Sequence, residues 1–184
     1  MNGVVSLRSL RAADFDAMWA ARDAGSVPSR SEDDEVKRRR LRSRIERSGR
    51  FVEGRIDLAV ELDGRLVGSI EARQPREGLP RGAYELGISL FAEADRGQKV
   101  GTRAVELMTE RLFADPETAR VQASTWVENQ AMRGVLERLG FALEGVLRSF
   151  MPRPDGGRDD YALYAVTRED WEAREISDPG SRPA

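Results

Sequence analysis

The chain of 184 residues contains no cysteine and no histidine. Without cysteine it can form no disulfide framework, no thiolate nucleophile and no cysteine-ligated metal site. Without histidine it lacks the commonest general base and most zinc sites, and a Ser-His-Asp triad is impossible. Acid–base chemistry must therefore come from Glu, Asp, Tyr, Lys or water, and we expect no metal.

Long apolar runs are also missing. No stretch approaches the roughly 20 residues that cross a bilayer, and the N-terminal sequence lacks the apolar segment of a signal peptide. Neither sign of charge dominates, since 30 basic and 32 acidic residues leave a net charge of −2, whereas a dedicated nucleic-acid binder normally carries a strong basic excess. We therefore expect a cytoplasmic protein with no membrane and no nucleic-acid partner.

The remaining composition is usual for a globular domain. Hydrophobic residues make up 40% and charged residues 34% of the chain, and this length suffices to bury a full core. We expect one domain over residues 1–170. The remaining residues, 171–184, end in SDPGSRPA and are expected to form a partly flexible tail.

Apolar spacing predicts strands and helices along most of the chain. The clearest local signal is Asp63-Gly64 between two alternating runs, which predicts a two-residue hairpin. Asp14 is expected to cap a short first helix, and the stretch from Pro75 to Gly82 is predicted to be a loop. Strands are predicted at 4–10, 58–62, 66–73, 83–91, 120–127, 141–150 and 159–166, and helices at 31–47, 101–113 and 129–140. This order predicts a single α/β domain whose mixed sheet carries helices on both faces.

The helix predicted at 31–47 is rich in arginine. Its acidic first turn and basic last turn suit the helix dipole. The arginines could contact a nucleic acid, or they could form a solvated helix face. We favour the solvated face because the acidic first turn offsets the basic charge.

The segment with the most chemical content joins the strand at 83–91 to the next helix. Its residues Arg96 to Thr102 read RGQKVGT, and backbone amides at a helix N-terminus, with glycines beside them, suit an anion such as a pyrophosphate. The segment is neither a Walker A loop nor the G-x-G-x-x-G dinucleotide fingerprint.

Three motifs together resemble the GCN5-related N-acetyltransferases (GNAT), and most closely the branch that includes the ribosomal-protein alanine acetyltransferases. In the family's [Q/R]-x-x-G-x-[G/A] pattern, Arg96, Gly101 and Thr102 stand where expected, whereas Lys99 replaces the first glycine. The stretch from Asn129 to Phe141 is similar to the family's N-x-x-[S/A]-x-x-x-hydrophobic-E-[K/R]-x-G-F segment. YELGISL is similar to the branch's E-[I/L]-G strand. The resemblance covers about residues 4–168.

The resemblance implies a mostly antiparallel sheet with splayed central strands and acetyl-coenzyme A (acetyl-CoA) as co-substrate. Backbone amides of the strand before the loop would hold the pantetheine arm, the loop would hold the pyrophosphate, and Asn129 would reach the pantetheine. The implied cofactor residues are Ile88, Ser89, Leu90, Phe91, Arg96, Gly97, Gln98, Lys99, Val100, Gly101, Thr102 and Asn129. The Lys99 side chain could add a cation near the phosphates, or it could point to solvent while its amide binds. We favour the second reading, since a backbone amide does not require glycine unless φ is positive.

The same resemblance suggests catalytic residues. Glu85 matches the glutamate of the E-[I/L]-G strand and is the candidate general base, although it could instead be a polar residue that pairs with an arginine. A backbone amide near Leu90 is the candidate oxyanion donor.

The general acid is less clear from the motifs. Many members place a tyrosine at the position of Leu136, and the branch often has serine at Met132, so both usual acids are replaced. Tyr161 is the candidate acid, with Tyr164 as a second choice, and either could instead be a packed sheet aromatic.

The expected function is acetyl transfer to a primary amine by direct attack in a ternary complex. The acceptor could be a protein N-terminus or a small-molecule amine, and the protein could be a monomer or a homodimer. Segments 13–48 and 150–160 are expected to build the acceptor pocket, with Trp19 and Trp126 as its wall or as core residues. The alternative is an acyl-CoA-binding sensor that has lost catalysis.

Overall fold

The computed structural model describes residues 3–21, 33–74 and 80–177, apart from the side chains of 175–177. Within these ranges it has seven strands and five α-helices. The strands are β1 (Val5–Arg8), β2 (Arg55–Leu62), β3 (Arg65–Arg73), β4 (Ala83–Leu90), β5 (Arg120–Trp126), β6 (Ala142–Pro152) and β7 (Arg158–Thr167). The helices are α1 (Phe15–Ala21), α2 (Asp34–Arg47), α3 (Val100–Phe113), α4 (Gln130–Arg138) and α5 (Arg168–Ser177).

The seven strands form one sheet in the order β1-β2-β3-β4-β5-β7-β6. Neighbouring strands are antiparallel except β4 and β5, which are parallel. The hairpin between β2 and β3 turns at Asp63-Gly64, where both residues have positive φ, as a tight two-residue turn requires. The predicted mixed sheet and its hairpin are therefore confirmed.

A gap opens in the centre of this sheet. β4 pairs with β5 over only three residues, Ala83–Glu85 against Arg120–Gln122. Beyond them β4 continues along β3 as far as Leu90, while β5 continues along β7 as far as Trp126. The two central strands therefore separate after Glu85, and each leaves an edge without a strand partner.

Helices cover both faces of the sheet. On one face α3 buries Ala104, Val105, Met108 and Leu112, whose spacing of three or four residues places them on one side of the helix. On the other face α1 and α2 pack over the β2 side through a smaller cluster. This cluster contains Leu10, Met18, Leu41, Ile45 and Ala59.

The C-terminal helix α5 differs from the expected tail. Trp171 is buried and its ring stacks on Phe113 at 5.9 Å. The helix continues to Ser177, and residues 178–184 lie outside the described ranges. A residue predicted from its neighbours to begin a free tail is instead held by a long-range contact.

The expected cap of the first helix is also corrected. Asp14 is the last residue of a 3-10 turn that runs directly into α1. Its carboxylate accepts hydrogen bonds from the Arg8 side chain at 2.7 and 2.9 Å and from the Arg11 amide at 2.7 Å. Its role is therefore to join β1 to this turn.

The arginine-rich helix α2 begins at Asp34 behind its cap Asp33, whose side chain accepts from the Glu35 amide. Positions 31 and 32 of the prediction lie outside the described ranges, as do 75–79 of the predicted loop. Along α2, Arg44 pairs with Asp57 at 2.7 Å, and the Arg38 guanidinium lies 4.2 Å from the Trp19 ring. Arg38 and Arg44 are thus engaged within the protein. None of the helices in the described ranges is long and apolar enough to cross a membrane.

Candidate active site

The loop between β4 and α3 presents a row of unsatisfied backbone amides. No protein acceptor is found, within the described parts of the chain, for the N–H groups of Gly97, Gln98, Lys99, Val100, Gly101 and Thr102. The first amide of this helix with a backbone acceptor is that of Arg103, which donates to the Lys99 carbonyl at 3.0 Å. Six consecutive donors at the positive end of a helix favour an anion.

This loop is held to the β2–β3 hairpin. Asp95 is buried, and its carboxylate accepts from the Arg65 guanidinium at 2.6 Å. Within the loop the Gln98 side-chain amide donates to the Ala94 carbonyl at 2.7 Å. These contacts fix the loop directly before the α3 N-terminus.

Lys99 is the N-cap of α3 and has a left-handed backbone, with φ 62° and ψ 5°. This conformation costs an L-residue about 1–2 kcal/mol that glycine does not pay. The positive φ explains why the family pattern has glycine at this position. The argument for a solvent-directed lysine side chain assumed an ordinary negative φ, and that assumption is wrong.

Gly101 leaves room above the first turn of α3. A Cβ at this residue would meet nothing closer than a Leu90 methyl carbon at 4.0 Å, so the protein itself does not require glycine here. The small residue instead keeps the helix surface open to a ligand. The open surface and the amide row both fit the pyrophosphate of coenzyme A.

The gap between β4 and β5 provides a second set of free backbone groups. The Phe91 amide donates to the Val67 carbonyl at 2.9 Å. Because alternate residues of an antiparallel strand face the same neighbour, Ser89 also faces β3, while Ile88 and Leu90 face the gap. Of the four residues expected along the pantetheine arm, only Ile88 and Leu90 therefore offer backbone groups to it.

The same argument applies to the opposite side of the gap. The Val127 amide donates to the Asp160 carbonyl at 3.1 Å, so Thr125 faces β7 and the backbones of Ser124 and Trp126 face β4. The gap is thus bordered on both sides by peptide groups that can bind an extended, amide-containing ligand.

Glu85 lies where β4 and β5 begin to separate, on the face opposite α3. Its carboxylate is half-buried and lies 3.4 Å from an Arg73 nitrogen. Arg73 also lies 3.4 Å from Glu71, which in turn pairs with Arg55. Glu85 therefore pairs with an arginine, as one reading of the sequence predicts. It also lies at the apex of the gap, the point where β4 and β5 separate, which leaves it available as a general base.

The two tyrosines of β7 lie on opposite faces. Tyr164 is fully buried, and its hydroxyl accepts from Arg133 at 3.0 Å and donates to Glu137 at 2.7 Å. Tyr161 lies opposite Trp126 on the face of Glu85, and its ring contacts Phe150. Burial raises the pKa of the Tyr161 hydroxyl, and the charge of Asp159 adds to the rise. Tyr164 is thus a packed aromatic, whereas Tyr161 has a hydroxyl that stays protonated at neutral pH.

Tyr161 and Glu85 are not brought together. Glu85 is level with Gln122 on β5 and Tyr161 is level with Trp126, a separation of about 13 Å along the strand. A base and an acid this far apart cannot both contact one reacting carbonyl. The candidate acid and the candidate base therefore serve different parts of the site.

Asn129, which is expected to reach the pantetheine, makes two side-chain hydrogen bonds within the protein. Its side-chain oxygen accepts from the Met132 amide at 3.1 Å and caps α4, and its nitrogen donates to the Thr125 hydroxyl at 3.1 Å. Both ends of the side chain are therefore bound within the protein. Leu136, at the position where the family resemblance implies a tyrosine in many members, is fully buried in the core.

For Trp126 the sequence leaves two readings open, a wall of the acceptor pocket or a core residue, because tryptophan is usually core in a domain of this size. It is 43% exposed, whereas Trp19 packs in the α1–α2 cluster. Together with Phe150 and Tyr161 it forms an accessible aromatic patch on the Glu85 face. Only the end position of Trp126 on its predicted strand could have signalled this exposure.

Comparisons with known proteins agree with this geometry. Residues 5–142 match the acetyltransferase (GNAT) domain family. Probable N-acetyltransferase YjcK of Bacillus subtilis (strain 168) is 27% identical over 139 residues, which are 75% of this chain and 75% of that protein.

Solved structures show the same fold. RimJ of Mycobacterium smegmatis, in complex with CoA-disulfide, has a TM-score of 0.73 and 25% identity, covering 97% of this chain and 90% of RimJ. The ribosomal-protein-S5-alanine acetyltransferase of Vibrio fischeri also has a TM-score of 0.73, with 21% identity over 91% of this chain and 94% of that one. Both belong to the branch that the sequence motifs resemble.

Proposed function

The chain belongs to the GNAT acetyltransferase family and is an acyltransferase, and from this premise we propose that it moves an acetyl group from acetyl-CoA to a primary amine. The amine acceptor is supported by the names of its relatives, an N-acetyltransferase and a ribosomal-protein-S5-alanine acetyltransferase. Both a protein N-terminus and a small-molecule amine fit this chemistry.

The observation that carries the proposal is the alignment of two unsatisfied backbone surfaces. The six amides at the α3 N-terminus suit a pyrophosphate, and the gap between β4 and β5 suits the amide-bearing arm attached to it. RimJ, which was solved with a CoA disulfide, has the same fold at 25% identity. Because the gap along β4 leads directly to the amides at the α3 N-terminus, these two surfaces together would accommodate a CoA thioester.

Acetyl-CoA supplies the thioester, and in the overall reaction a C–N bond forms, the C–S bond breaks and the amine loses a proton. The Ile88 amide faces the gap about 10 Å along β4 from Glu85 and is the proposed hydrogen-bond donor to the carbonyl oxygen, whereas Leu90, about 16 Å from Glu85, would bind the pantetheine arm. Glu85, at the apex of the gap, is the proposed base, which takes the amine proton directly or through one water. Arg73 lies 3.4 Å from its carboxylate on this face and is shared with Glu71.

The departing sulfur needs no acid from the protein. A thiol has a pKa of about 8.5, so CoA can leave as the thiolate at neutral pH. We assign Tyr161 to the acceptor side of the site with Trp126 and Phe150, since about 13 Å of strand separates it from Glu85.

The test is a thiol-release assay with acetyl-CoA against amines and N-terminal peptides, run with the native protein and with Glu85→Gln. We expect release with one acceptor class and a fall in kcat/KM of about 10²–10⁴ in the variant, the range for loss of a general base. Glu117→Gln is the matched control, because this glutamate is exposed and pairs with Arg81 away from the gap.

Thermal unfolding with CoA separates the alternatives. A cofactor that binds the folded state raises Tm by mass action, and Glu85→Gln should keep this rise because the carboxylate lies outside the phosphate loop. A rise in Tm without thiol release from any acceptor would favour the acyl-CoA-binding sensor. Equal activity of Glu85→Gln and the native protein would remove Glu85 as the base.

A further inference from the structure

We propose that Glu71 is a positioning residue that acts on Glu85 through their shared neighbour Arg73. Its carboxylate occupies the space that a side chain at Gly87 would need. The inference rests on the proposed function, because it concerns the candidate base. It assigns a role to a carboxylate of β3 that lies outside the three motifs of the family resemblance.

The place of the Glu71 carboxylate is defined by Gly87 on the neighbouring strand β4. The two residues are partners in the β3–β4 register, so both belong to the same face of the sheet. A Cβ at Gly87 would lie 3.1 Å from a Glu71 carboxylate oxygen and 3.2 Å from its Cγ. Both distances are shorter than the roughly 3.5–4.0 Å of an ordinary contact with a carbon atom. Because Gly87 has no positive φ, the carboxylate beside it, and not its backbone, accounts for the glycine.

Arg73 lies between the two glutamates. It is the register partner of Glu85. Its Nε lies 3.4 Å from Glu71 Oε1, and its Nη2 lies 3.4 Å from Glu85 Oε1. Both contacts are longer than the roughly 2.7–2.9 Å of a strong charged hydrogen bond. A shared contact of this length orients the Glu85 carboxylate without occupying it, so the carboxylate can still accept a proton.

The second oxygen of Glu71 is held by arginines of β2 and α2. Glu71 Oε2 pairs with Arg55 and lies 3.6 Å from an Arg44 nitrogen. Both arginines also bind the buried carboxylate of Asp57. Glu71 is therefore fixed from this side, and its other oxygen stays directed at Arg73.

The groups on β5 do not supply a second cation to Glu85. The β5 residue level with Glu85 is the uncharged Gln122. The Gln122 side-chain oxygen accepts from Arg120 at 3.1 Å, and both terminal nitrogens of Arg120 bind Glu144. Among the residues that the structure describes, Arg73 is thus the cation that pairs with Glu85.

Removing the charge of Glu71 and removing the charge of Arg73 have opposite consequences for Glu85. In Glu71→Gln, Arg73 has one carboxylate left, that of Glu85. A closer pair favours the ionised carboxylate, so Glu85 becomes harder to protonate and a weaker base. In Arg73→Gln, Glu85 loses its cation and becomes easier to protonate. A general loss of stability would not produce shifts of opposite sign.

The experiment is a carboxyl-carbon NMR titration of protein that carries isotope-labelled glutamate, in which the Glu85 signal is identified by its loss in Glu85→Gln. Relative to the native protein, Glu71→Gln should lower the midpoint of this titration by about 0.5–1 pH unit, and Arg73→Gln should raise it by a similar amount. Arg73→Lys keeps the charge and should stay close to the native midpoint.

Steady-state kinetics give the functional readout, with acetyl-CoA and the amine that shows the fastest release in the thiol-release panel. Glu71→Gln should lower kcat about threefold to tenfold through the weaker base. The KM for acetyl-CoA should stay within about twofold, because Glu71 lies away from the phosphate loop.

Glu61→Gln is the matched control. Glu61 is also a largely buried glutamate that pairs with an arginine, Arg8, but within the described ranges it contacts neither Arg73 nor Glu85. It should leave the Glu85 titration and kcat unchanged.

The contact with Gly87 is tested by a double-mutant cycle. Gly87→Ala should lower Tm by about 2–4 °C, because the added methyl group overpacks against the Glu71 carboxylate. In a Glu71→Ala background the same change should lower Tm by less than about 1 °C.

Three results would overturn the inference. The first is a Glu85 midpoint in Glu71→Gln within about 0.2 pH unit of the native value. The second is a shift of the same sign in Glu71→Gln and Arg73→Gln. The third is an equal fall in Tm for Gly87→Ala in both backgrounds. If the native protein released no thiol with any amine, the proposed function would fail while the titration could still be read, so the two failures are distinguishable.

Discussion

Replacing Asp57 by Asn tests the charged network that runs across the sheet beneath the candidate site. Asp57 lies on β2 and is buried, and its carboxylate accepts four hydrogen bonds, two from Arg44 at 2.7 and 3.0 Å and two from Arg55 at 2.8 and 2.9 Å. Asparagine keeps the shape of the side chain but removes the charge, so both guanidinium groups lose one charged partner and keep Glu71 as the other.

The expected loss of stability follows from the burial of each partner. Breaking a fully buried ion pair costs about 3–5 kcal/mol. The Arg44 and Arg55 side chains remain 36% and 34% exposed and can regain water, so we expect a loss of about 2 kcal/mol. For a chain of this length the corresponding fall in Tm is about 4–8 °C.

The stability difference between the native protein and Asp57→Asn should depend on pH, because it arises from the charge of Asp57. Burial by itself opposes ionisation of Asp57, but the hydrogen bonds from Arg55 and the charge of Arg44 outweigh it and hold the pKa of this carboxyl below its usual value. A carboxyl with a lower pKa in the folded state adds stability at pH values above its unfolded pKa of about 3.9 and loses it as the pH falls through the folded pKa. The difference between native protein and variant should thus be full at pH 7 and shrink below about pH 4.

The assay is urea unfolding at pH 7, 5, 4 and 3, with Glu128→Gln as control because Glu128 is exposed and makes no ion pair among the described residues. The control should change stability by less than about 0.5 kcal/mol at every pH. A difference for Asp57→Asn that is below 0.5 kcal/mol at pH 7, or that stays constant down to pH 3, would refute the assigned network.

Two further predictions concern residues beside the gap. Tyr161→Phe should change kcat less than about threefold, well short of the 10²–10⁴ expected for a general acid, because Tyr161 lies far from Glu85. Steady-state kinetics check this, and a hundredfold fall would restore Tyr161 as the acid. Leu136→Tyr should cost about 1–3 kcal/mol by overpacking a fully buried position, without raising kcat. Thermal unfolding and kinetics check this, and a faster enzyme with unchanged Tm would contradict it.

Much of the fold could be read from local patterns. The hairpin at Asp63-Gly64 follows from two residues that adopt positive φ between alternating runs. Helix α3 follows from an apolar stripe at helical spacing. The phosphate loop follows from glycines at a helix start and from the family motif. Such features depend on neighbours within a few residues, so the sequence by itself determined them.

Other features depend on parts of the chain that are distant in sequence. Trp171 belongs to the core because it meets Phe113, and Glu85 has Arg73 beside it because β3 and β4 pair in that register. Asn129 binds Thr125 and caps α4 because β5 and α4 meet at this residue.

The backbone of Lys99 is the plainest case. Its residue type predicts an ordinary conformation, and its left-handed one appears only once β4, the Asp95–Arg65 contact and the first turn of α3 are assembled around it. The spacing of residues thus predicts which elements form and where an anion site is expected. Which backbone amides and carboxylates face the gap is decided only in the folded protein. Their directions depend on strand register and on long-range packing, and a local sequence pattern contains neither.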